Sequence, residues 1–168
     1  MTEFKLRAWN PQDLDSLVSC ANNPRIAGFM MDVFPHPYGP ENGRAFIDMA
    51  MKEQLRFFAI EVEGKAVGGI GLHPQQDVFA RNAELGYWLA EPWWGKGIVT
   101  RAVLQMVAHG FGNFDIDRIF ARPFGNNPAS QKVLQNAGFR LEARLEKTIF
   151  KNGEYLDELI YAVRRAAD

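Results

Sequence analysis

The segment Trp93-Trp94-Gly95-Lys96-Gly97-Ile98-Val99-Thr100 has residue types and spacing suited to binding an anion. We call residues 93–100 the glycine corner. It follows a strand-like run, 83–90, and opens a helix-like run, Ile98 to Gly110. Glycines let the backbone approach a ligand closely, and the first N–H groups of a helix have no partner inside it. Because the helix dipole adds partial positive charge at that end, the glycine corner predicts a binding site for an anion, most simply a phosphate.

Two familiar phosphate-binding motifs do not fit the glycine corner. A Walker loop requires serine or threonine after its lysine, whereas Gly97 follows Lys96 here. The same motif requires a glycine at the position that Ala90 occupies. A dinucleotide-binding fingerprint requires a third glycine where Thr100 stands. The sequence therefore favours a phosphate site of another kind.

Length and composition are those of one soluble globular domain. The chain has 168 residues, of which 47% are hydrophobic and 23% charged. Its net charge of −1 gives no indication of a nucleic-acid partner. No apolar run reaches the roughly 18 residues of a membrane helix, and residues 1–5 lack the apolar core of a signal peptide. A single cysteine, Cys20, excludes an internal disulfide and a zinc cluster, so we expect a cytoplasmic protein with no membrane partner.

Hydrophobic periodicity and turn residues predict the elements that position the glycine corner. Helices are expected at about 11–21, 41–52, 98–110 and 129–136, and strands at 4–9, 57–61, 66–72, 84–90, 118–122, 139–150 and 154–163. Asn10-Pro11 and Asn127-Pro128 have the pattern of an N-cap followed by proline at the first helical position. Asn152-Gly153 predicts a hairpin turn, and the proline-rich residues 34–40 predict a loop.

This order of elements predicts an α/β (α+β) fold. We expect a mixed, mostly antiparallel sheet of about seven strands with helices on both faces. Consecutive strands with no helix between them should pair antiparallel, while the two strands that flank the glycine-corner helix should pair in parallel. The glycine corner then lies at the carboxyl end of a sheet strand, where ligands of such sheets commonly bind.

Five short motifs follow one another along the chain. They are Gly86-Tyr87-Trp88-Leu89, Trp93-Trp94-Gly95-Lys96-Gly97, Asn127-Pro128-Ala129-Ser130, Gly138-Phe139 and Asn152-Gly153-Glu154-Tyr155. In this order and spacing they resemble the GNAT superfamily of acetyl-CoA-dependent N-acetyltransferases, and most of all its Rim-type branch of ribosomal-protein N-terminal acetyltransferases. The resemblance covers nearly the whole chain. It implies a single GNAT N-acetyltransferase domain, 1–168, with the acyl-CoA N-acyltransferase fold.

In that superfamily the glycine corner holds the diphosphate of coenzyme A in the motif Q/R-x-x-G-x-G/A, which aligns with Trp94, Gly97 and Val99. Trp94 replaces the usual Gln or Arg, Val99 replaces a small residue, and Arg101 stands where the branch often has Glu. The resemblance implies that the corner and the strand before it contact acetyl-CoA, through Trp88, Leu89, Ala90, Trp94, Gly95, Lys96, Gly97, Ile98, Val99 and Thr100. Asn127 aligns with an asparagine that contacts the pantetheine arm. No metal is implied.

Acetyl transfer to an amine needs a proton acceptor, a donor to the oxyanion and a group that stabilises the departing thiolate. The backbone N–H of Leu89 or Ala90 is the candidate oxyanion donor. Many GNAT enzymes use a tyrosine as the acid, and Leu134 occupies that position. Ser130 aligns with a residue proposed to contact the thiolate. The alternative is that Ser130 only serves the first turn of its helix.

Glu84 aligns with the strand glutamate that histone-type members use as a base, and a salt-bridged strand residue is the alternative. His73 lies at the end of the preceding predicted strand and is a second candidate for that role. Phe34, His36 and Tyr38 lie in a region that borders the acceptor pocket of the family, and a packed surface loop is the alternative for them.

The resemblance implies an enzyme that transfers acetyl from acetyl-CoA to a primary amine by direct attack in a ternary complex. The acceptor is a peptide or protein N-terminus or a small-molecule amine, and a homodimer is compatible with the sequence. A non-catalytic acyl-CoA-binding or sensing module is the alternative function.

Overall fold

A computed structural model describes residues 1–167 of the chain. Its helices are α1 (Leu14–Ala21), α2 (Pro24–Ala27), α3 (Pro40–Lys52), α4 (Ile98–Asn113) and α5 (Pro128–Asn136). Its strands are β1 (Lys5–Arg7), β2 (Phe57–Val62), β3 (Lys65–Pro74), β4 (Asn82–Leu89), β5 (Arg118–Ala121), β6 (Arg140–Lys151) and β7 (Glu154–Arg164). No helix in this part of the chain has the length and apolar character needed to span a membrane.

The sheet has seven strands in the order β1-β2-β3-β4-β5-β7-β6. The predicted parallel pair is confirmed, because β4 and β5 run in the same direction over the pairs from Asn82↔Arg118 to Glu84↔Phe120. The pairs β1–β2, β2–β3, β5–β7 and β6–β7 are antiparallel. The predicted mixed, mostly antiparallel sheet is therefore confirmed.

Local sequence signals account for most of the element ends. Asn10 takes an extended conformation and its side chain accepts a hydrogen bond from the Gln12 N–H, so it caps a short 3-10 turn that leads into α1. Gly138 follows α5 with a φ of +87°, and Asn152 and Gly153 take φ values of +51° and +81° at the β6–β7 turn. These angles belong to the left-handed region, which Gly and Asn tolerate best.

The chain forms two compact units, one comprising residues 1–71 and 87–102, the other 72–86 and 103 onward. The first unit contains a core built around Trp9, Leu17, Ile47 and Phe57. The indole of Trp9 meets the ring of Phe46 edge-on at 5.2 Å between centroids. Apolar residues of α1 and α3 thus cover one face of the strands in this unit.

The second unit packs α4 directly against its strands. A Cβ atom at Gly110 would lie 2.8 Å from Leu72 and 2.9 Å from Ile119, so glycine allows the helix backbone to approach the strands closely. Met106 is 1% exposed one turn earlier and Leu134 of α5 is completely buried. Met106 and Leu134 therefore lie on the core-facing sides of their helices.

Candidate active site

The glycine corner joins the end of β4 to α4 through backbone angles that glycine adopts most easily. A 3-10 turn, Glu91–Trp93, follows β4, and Gly95 and Gly97 then have φ values of +73° and +70°. A Cβ atom added at either glycine would meet nothing within 4 Å. L-residues rarely take these angles, and the open space beside both glycines leaves the backbone accessible to a ligand.

The first turn of α4 presents backbone donors at the glycine corner. The Gly97 carbonyl accepts the first helical hydrogen bond, from the Arg101 N–H at 3.3 Å. Helix geometry leaves the N–H groups of the three residues between them, 98–100, without an acceptor inside the helix. These groups lie at the positive end of the helix dipole, an arrangement that suits an anion.

Two cations, one in the glycine corner and one just after it, have no carboxylate partner among residues 1–167. Lys96 Nζ lies 4.4 Å from the centroid of the Trp93 ring, and the Arg101 guanidinium lies 4.8 Å from that of Phe4. Aromatic faces attract such groups without neutralising their charge. Both side chains therefore add to the positive potential that the helix end creates.

Trp94 stabilises the backbone of the corner. Its indole Nε1 donates to the Leu89 carbonyl at 2.7 Å, and the Arg25 guanidinium lies 5.2 Å from the ring centroid. Arg25 also forms a salt bridge with Glu91 in the turn after β4. Sequence reasoning missed Arg25 and α2, although Asn23-Pro24 repeats the N-cap and proline pattern that begins other segments of this chain.

The backbone at the end of β4 is partly used by the sheet. The Ala90 N–H donates to the Val67 carbonyl at 2.8 Å, which removes Ala90 from the two candidate oxyanion donors. Successive residues of a strand direct their backbone groups to opposite sides, so the Leu89 N–H points away from β3. On the β3 side, Gly68 lies close to the backbone of β4, because a Cβ atom at Gly68 would be only 2.5 Å from the Trp88 carbonyl oxygen.

Glu84, the candidate base, is held in a salt bridge. Its Oε1 accepts from Arg122 Nε at 2.9 Å and its Oε2 accepts from Arg122 Nη2 at 3.2 Å. Arg122 also donates to Glu158 at 3.2 Å. The hydrogen bond to Glu84 is the main cause that raises the pKa of Arg122 above its usual value. Both carboxylate oxygens of Glu84 are thus occupied by one guanidinium, which favours the salt-bridged alternative.

His73 lies on the same side of the sheet as Glu84. Its Nε2 would be 3.9 Å from a Cβ atom at Gly86, and Gly86 and Glu84 share a face because they are two residues apart on β4. The imidazole is exposed. Within residues 1–167, no three His, Cys, Asp or Glu side chains are grouped so that they could hold a metal ion.

Asn127 caps α5 as the sequence predicts. Its Oδ1 accepts a hydrogen bond from the Ser130 N–H at 3.2 Å, so the remaining polar atom of the side chain is the Nδ2 donor. Ser130 is half-buried in the first turn of the helix. Leu134, at the position of the family tyrosine, is 0% exposed and belongs to the core.

The three residues predicted for an acceptor pocket have different surroundings. Tyr38 is only 5% exposed, and burial raises its pKa to about 12. Its ring lies 5.3 Å from that of Phe34, which in turn lies 6.0 Å from the indole of Trp88. His36 is exposed. Tyr38 therefore packs as a core residue, while Phe34 and His36 remain accessible.

Comparison with known proteins identifies the family of this chain. The family model described as an acetyltransferase (GNAT) domain matches residues 3–140, and the chain belongs to this family. The ribosomal-protein-serine acetyltransferase of Escherichia coli K12 is 31% identical over 107 residues, which cover 64% of this chain and 59% of that protein. The spermidine N(1)-acetyltransferase of the same strain is 26% identical over 158 residues, covering 90% of this chain and 80% of that protein.

A solved structure of a related protein has the same fold as this chain. RimJ of Mycobacterium smegmatis, in complex with a CoA disulfide, has a TM-score of 0.81 and 25% identity, and the match covers 96% of this chain and 81% of that one. The predicted GNAT fold is confirmed, and ribosomal-protein acetyltransferases are among the relatives. The prediction of an acetyl-CoA-dependent N-acetyltransferase is confirmed with them.

Proposed function

We propose that the glycine corner binds the diphosphate of acetyl-CoA while the enzyme transfers the acetyl group to a primary amine. The observation that carries this proposal is the backbone at Gly95 and Gly97, which leaves open space beside the first helical N–H groups. In the proposed complex the N–H groups of residues 98–100 donate to the phosphate oxygens. Lys96 adds a side-chain charge to the same anion.

The Leu89 N–H is the proposed donor to the thioester carbonyl. The Leu89 carbonyl is occupied by the indole of Trp94, and the Ala90 N–H is occupied by Val67. The Leu89 N–H points away from β3 and is therefore the donor that suits the oxyanion. Asn127 Nδ2 and the Ser130 hydroxyl are the proposed contacts to the pantetheine arm and to the thiolate.

The reaction is direct attack of a neutral amine on the thioester. The C–N bond forms as the carbonyl oxygen becomes an oxyanion, and collapse of this intermediate breaks the C–S bond and releases the thiolate of CoA. We propose that the proton of the amine passes to water, because Glu84 is held by Arg122 through both oxygens. Water then returns a proton to the thiolate, since Leu134 offers no acid.

The acceptor belongs to one of two classes of primary amine. By their names, the E. coli relatives act on a ribosomal protein and on spermidine. An assay with N-terminal peptides, polyamines and amino acids, read out as free CoA and acetylated product, identifies the class. Binding of acetyl-CoA without turnover on the whole panel would instead support a non-catalytic acyl-CoA-binding module, an alternative that the buried Leu134 motivates.

The cofactor site is tested by two variants that differ only in charge. Gly97→Asp and Gly97→Asn have the same shape and both tolerate a left-handed backbone. We expect Gly97→Asp to weaken acetyl-CoA binding roughly tenfold more than Gly97→Asn, because its carboxylate repels the phosphates. Calorimetric titration at two salt concentrations measures the difference, which salt should reduce. Equal affinity of the two variants would contradict the assignment of the corner.

A further inference from the structure

We propose that Arg101 is a positioning residue that fixes the glycine corner for the cofactor. This inference rests on the proposed function, since the corner is the proposed diphosphate site. Arg101 Nε donates to the Gly97 carbonyl at 3.3 Å, and Arg101 Nη2 donates to the Thr2 carbonyl at 2.7 Å. The guanidinium also lies over the ring of Phe4. One side chain thus ties the corner to the segment before β1.

The contact with Gly97 controls a neighbouring N–H group. The Gly97 carbonyl accepts hydrogen bonds from both the backbone N–H and the Nε of Arg101. A trans peptide is planar, so the Gly97 carbonyl and the Ile98 N–H point in opposite directions. Holding the carbonyl therefore holds the direction of the Ile98 N–H, the first helical donor at the corner. Glycine is the most flexible residue of the backbone, which makes such a tether effective.

The positive charge of Arg101 does not stabilise α4, so helix stability does not explain an arginine at this position. A cation near the start of a helix is disfavoured by the dipole, and no carboxylate among the described residues pairs with Arg101. Its two carbonyl contacts and its stacking on Phe4 use the planar fork of the guanidinium. Lysine carries the same charge as a single point and does not reproduce this geometry. Charge and bridging can therefore be separated by substitution.

The first test compares Arg101→Gln and Arg101→Lys in the full chain. We expect Arg101→Lys to raise the Kd and KM for acetyl-CoA roughly tenfold, about 1.4 kcal/mol. Arg101→Gln also removes the positive charge and should raise both constants at least as much. The kcat and the KM for the amine should stay within about twofold, because the reacting atoms are not touched. Arg44→Gln, which changes an exposed arginine of α3, is the matched control and should leave all constants unchanged.

A second test removes the other end of the bridge. Deletion of Thr2 and Glu3 keeps Arg101 and should weaken acetyl-CoA binding by a similar factor. In that shortened chain Arg101→Gln should then add little, since residues of one network are not additive. Independent, fully additive losses would overturn the inference.

Two outcomes of the first test overturn the inference directly. Wild-type affinity in Arg101→Lys would mean that charge alone matters, and wild-type affinity in Arg101→Gln would mean that Arg101 plays no part. Failure of the proposed function looks different, because the unmodified protein itself would then bind no acetyl-CoA, and both proposals would fall together.

Discussion

Arg122 holds Glu84 by both carboxylate oxygens, and this contact limits what the glutamate contributes to catalysis. We expect Glu84→Gln to lower kcat by less than about tenfold, whereas loss of a general base typically costs 10²–10⁴-fold. Steady-state kinetics across neutral pH measure this effect, and the Kd for acetyl-CoA should not change. Glu158→Gln, on the same arginine, is the matched control. A fall of a hundredfold or more in Glu84→Gln alone would make Glu84 the base after all.

Tyr38 predicts a pH dependence of stability. Its phenol has a pKa of about 12 in the folded protein against an ordinary value of 10.0. Ionisation in the unfolded chain therefore favours unfolding once the pH passes 10, so this part of the stability is complete below pH 10 and is lost as the pH rises toward 12. Between pH 10 and about pH 12, the free energy of unfolding of Tyr38→Phe should therefore fall by roughly 1–3 kcal/mol less than that of the wild type.

Denaturant titrations at neutral pH, at pH 10 and at about pH 12 measure the effect of Tyr38→Phe. Tyr155→Phe is the control, because Tyr155 is 68% exposed. If the unfolding free energies of Tyr38→Phe and the wild type fall equally as the pH rises, folding does not raise the pKa of Tyr38.

At the residue scale, the sequence identified types and positions better than partners. For Glu84 the sequence offered a salt bridge as the alternative to a catalytic base, and the salt bridge is present. For Asn127 it predicted an N-cap, which is also present. It missed the partner of Glu84, which is 38 positions away, and that of Arg101, which is 99 positions away. Such pairs depend on how strands and segments meet, and no local spacing encodes them.

At the element scale, the start of α5 joins stability to the proposed cofactor contact. Asn127→Ala removes the cap and should cost about 1 kcal/mol of unfolding free energy. Asn127→Ser keeps an oxygen that accepts from the Ser130 N–H, and should cost only a few tenths of a kcal/mol. If Asn127 Nδ2 contacts the pantetheine arm, both variants should bind acetyl-CoA several-fold more weakly.

The two Asn127 variants are compared by thermal unfolding and by calorimetric titration with acetyl-CoA. If Asn127→Ser matches the wild type in both its unfolding free energy and its affinity for acetyl-CoA, Asn127 acts only as the N-cap of α5. Weaker binding in Asn127→Ser at nearly full stability is the result that the proposed contact requires.

Elements whose ends are marked by N-caps or turn residues were predicted well. The capped starts at Asn10 and Asn127 and the turn at Asn152-Gly153 lie where the sequence puts them. The four-residue α2 was missed because one helical turn has no hydrophobic period to detect. The first strand was predicted at 4–9 but pairs only over Lys5–Arg7, since pairing with β2 and not side-chain alternation decides where a strand ends.

At the scale of the whole molecule, the order of elements was sufficient to predict the relative directions of neighbouring strands. A helix between β4 and β5 forces a crossover and a parallel pair, and the tight turn between β6 and β7 forces an antiparallel one. The final order, with β7 between β5 and β6, does not follow from these local rules. The position of β7 was therefore not predicted.

The central claim is that backbone N–H groups of the glycine corner bind the diphosphate of acetyl-CoA. A crystal structure of the protein with CoA tests it most directly. We predict phosphate oxygens within hydrogen-bond distance, about 2.7–3.2 Å, of the backbone nitrogens of residues 98–100. A diphosphate bound elsewhere on the protein, with the corner occupied only by solvent, would contradict the account.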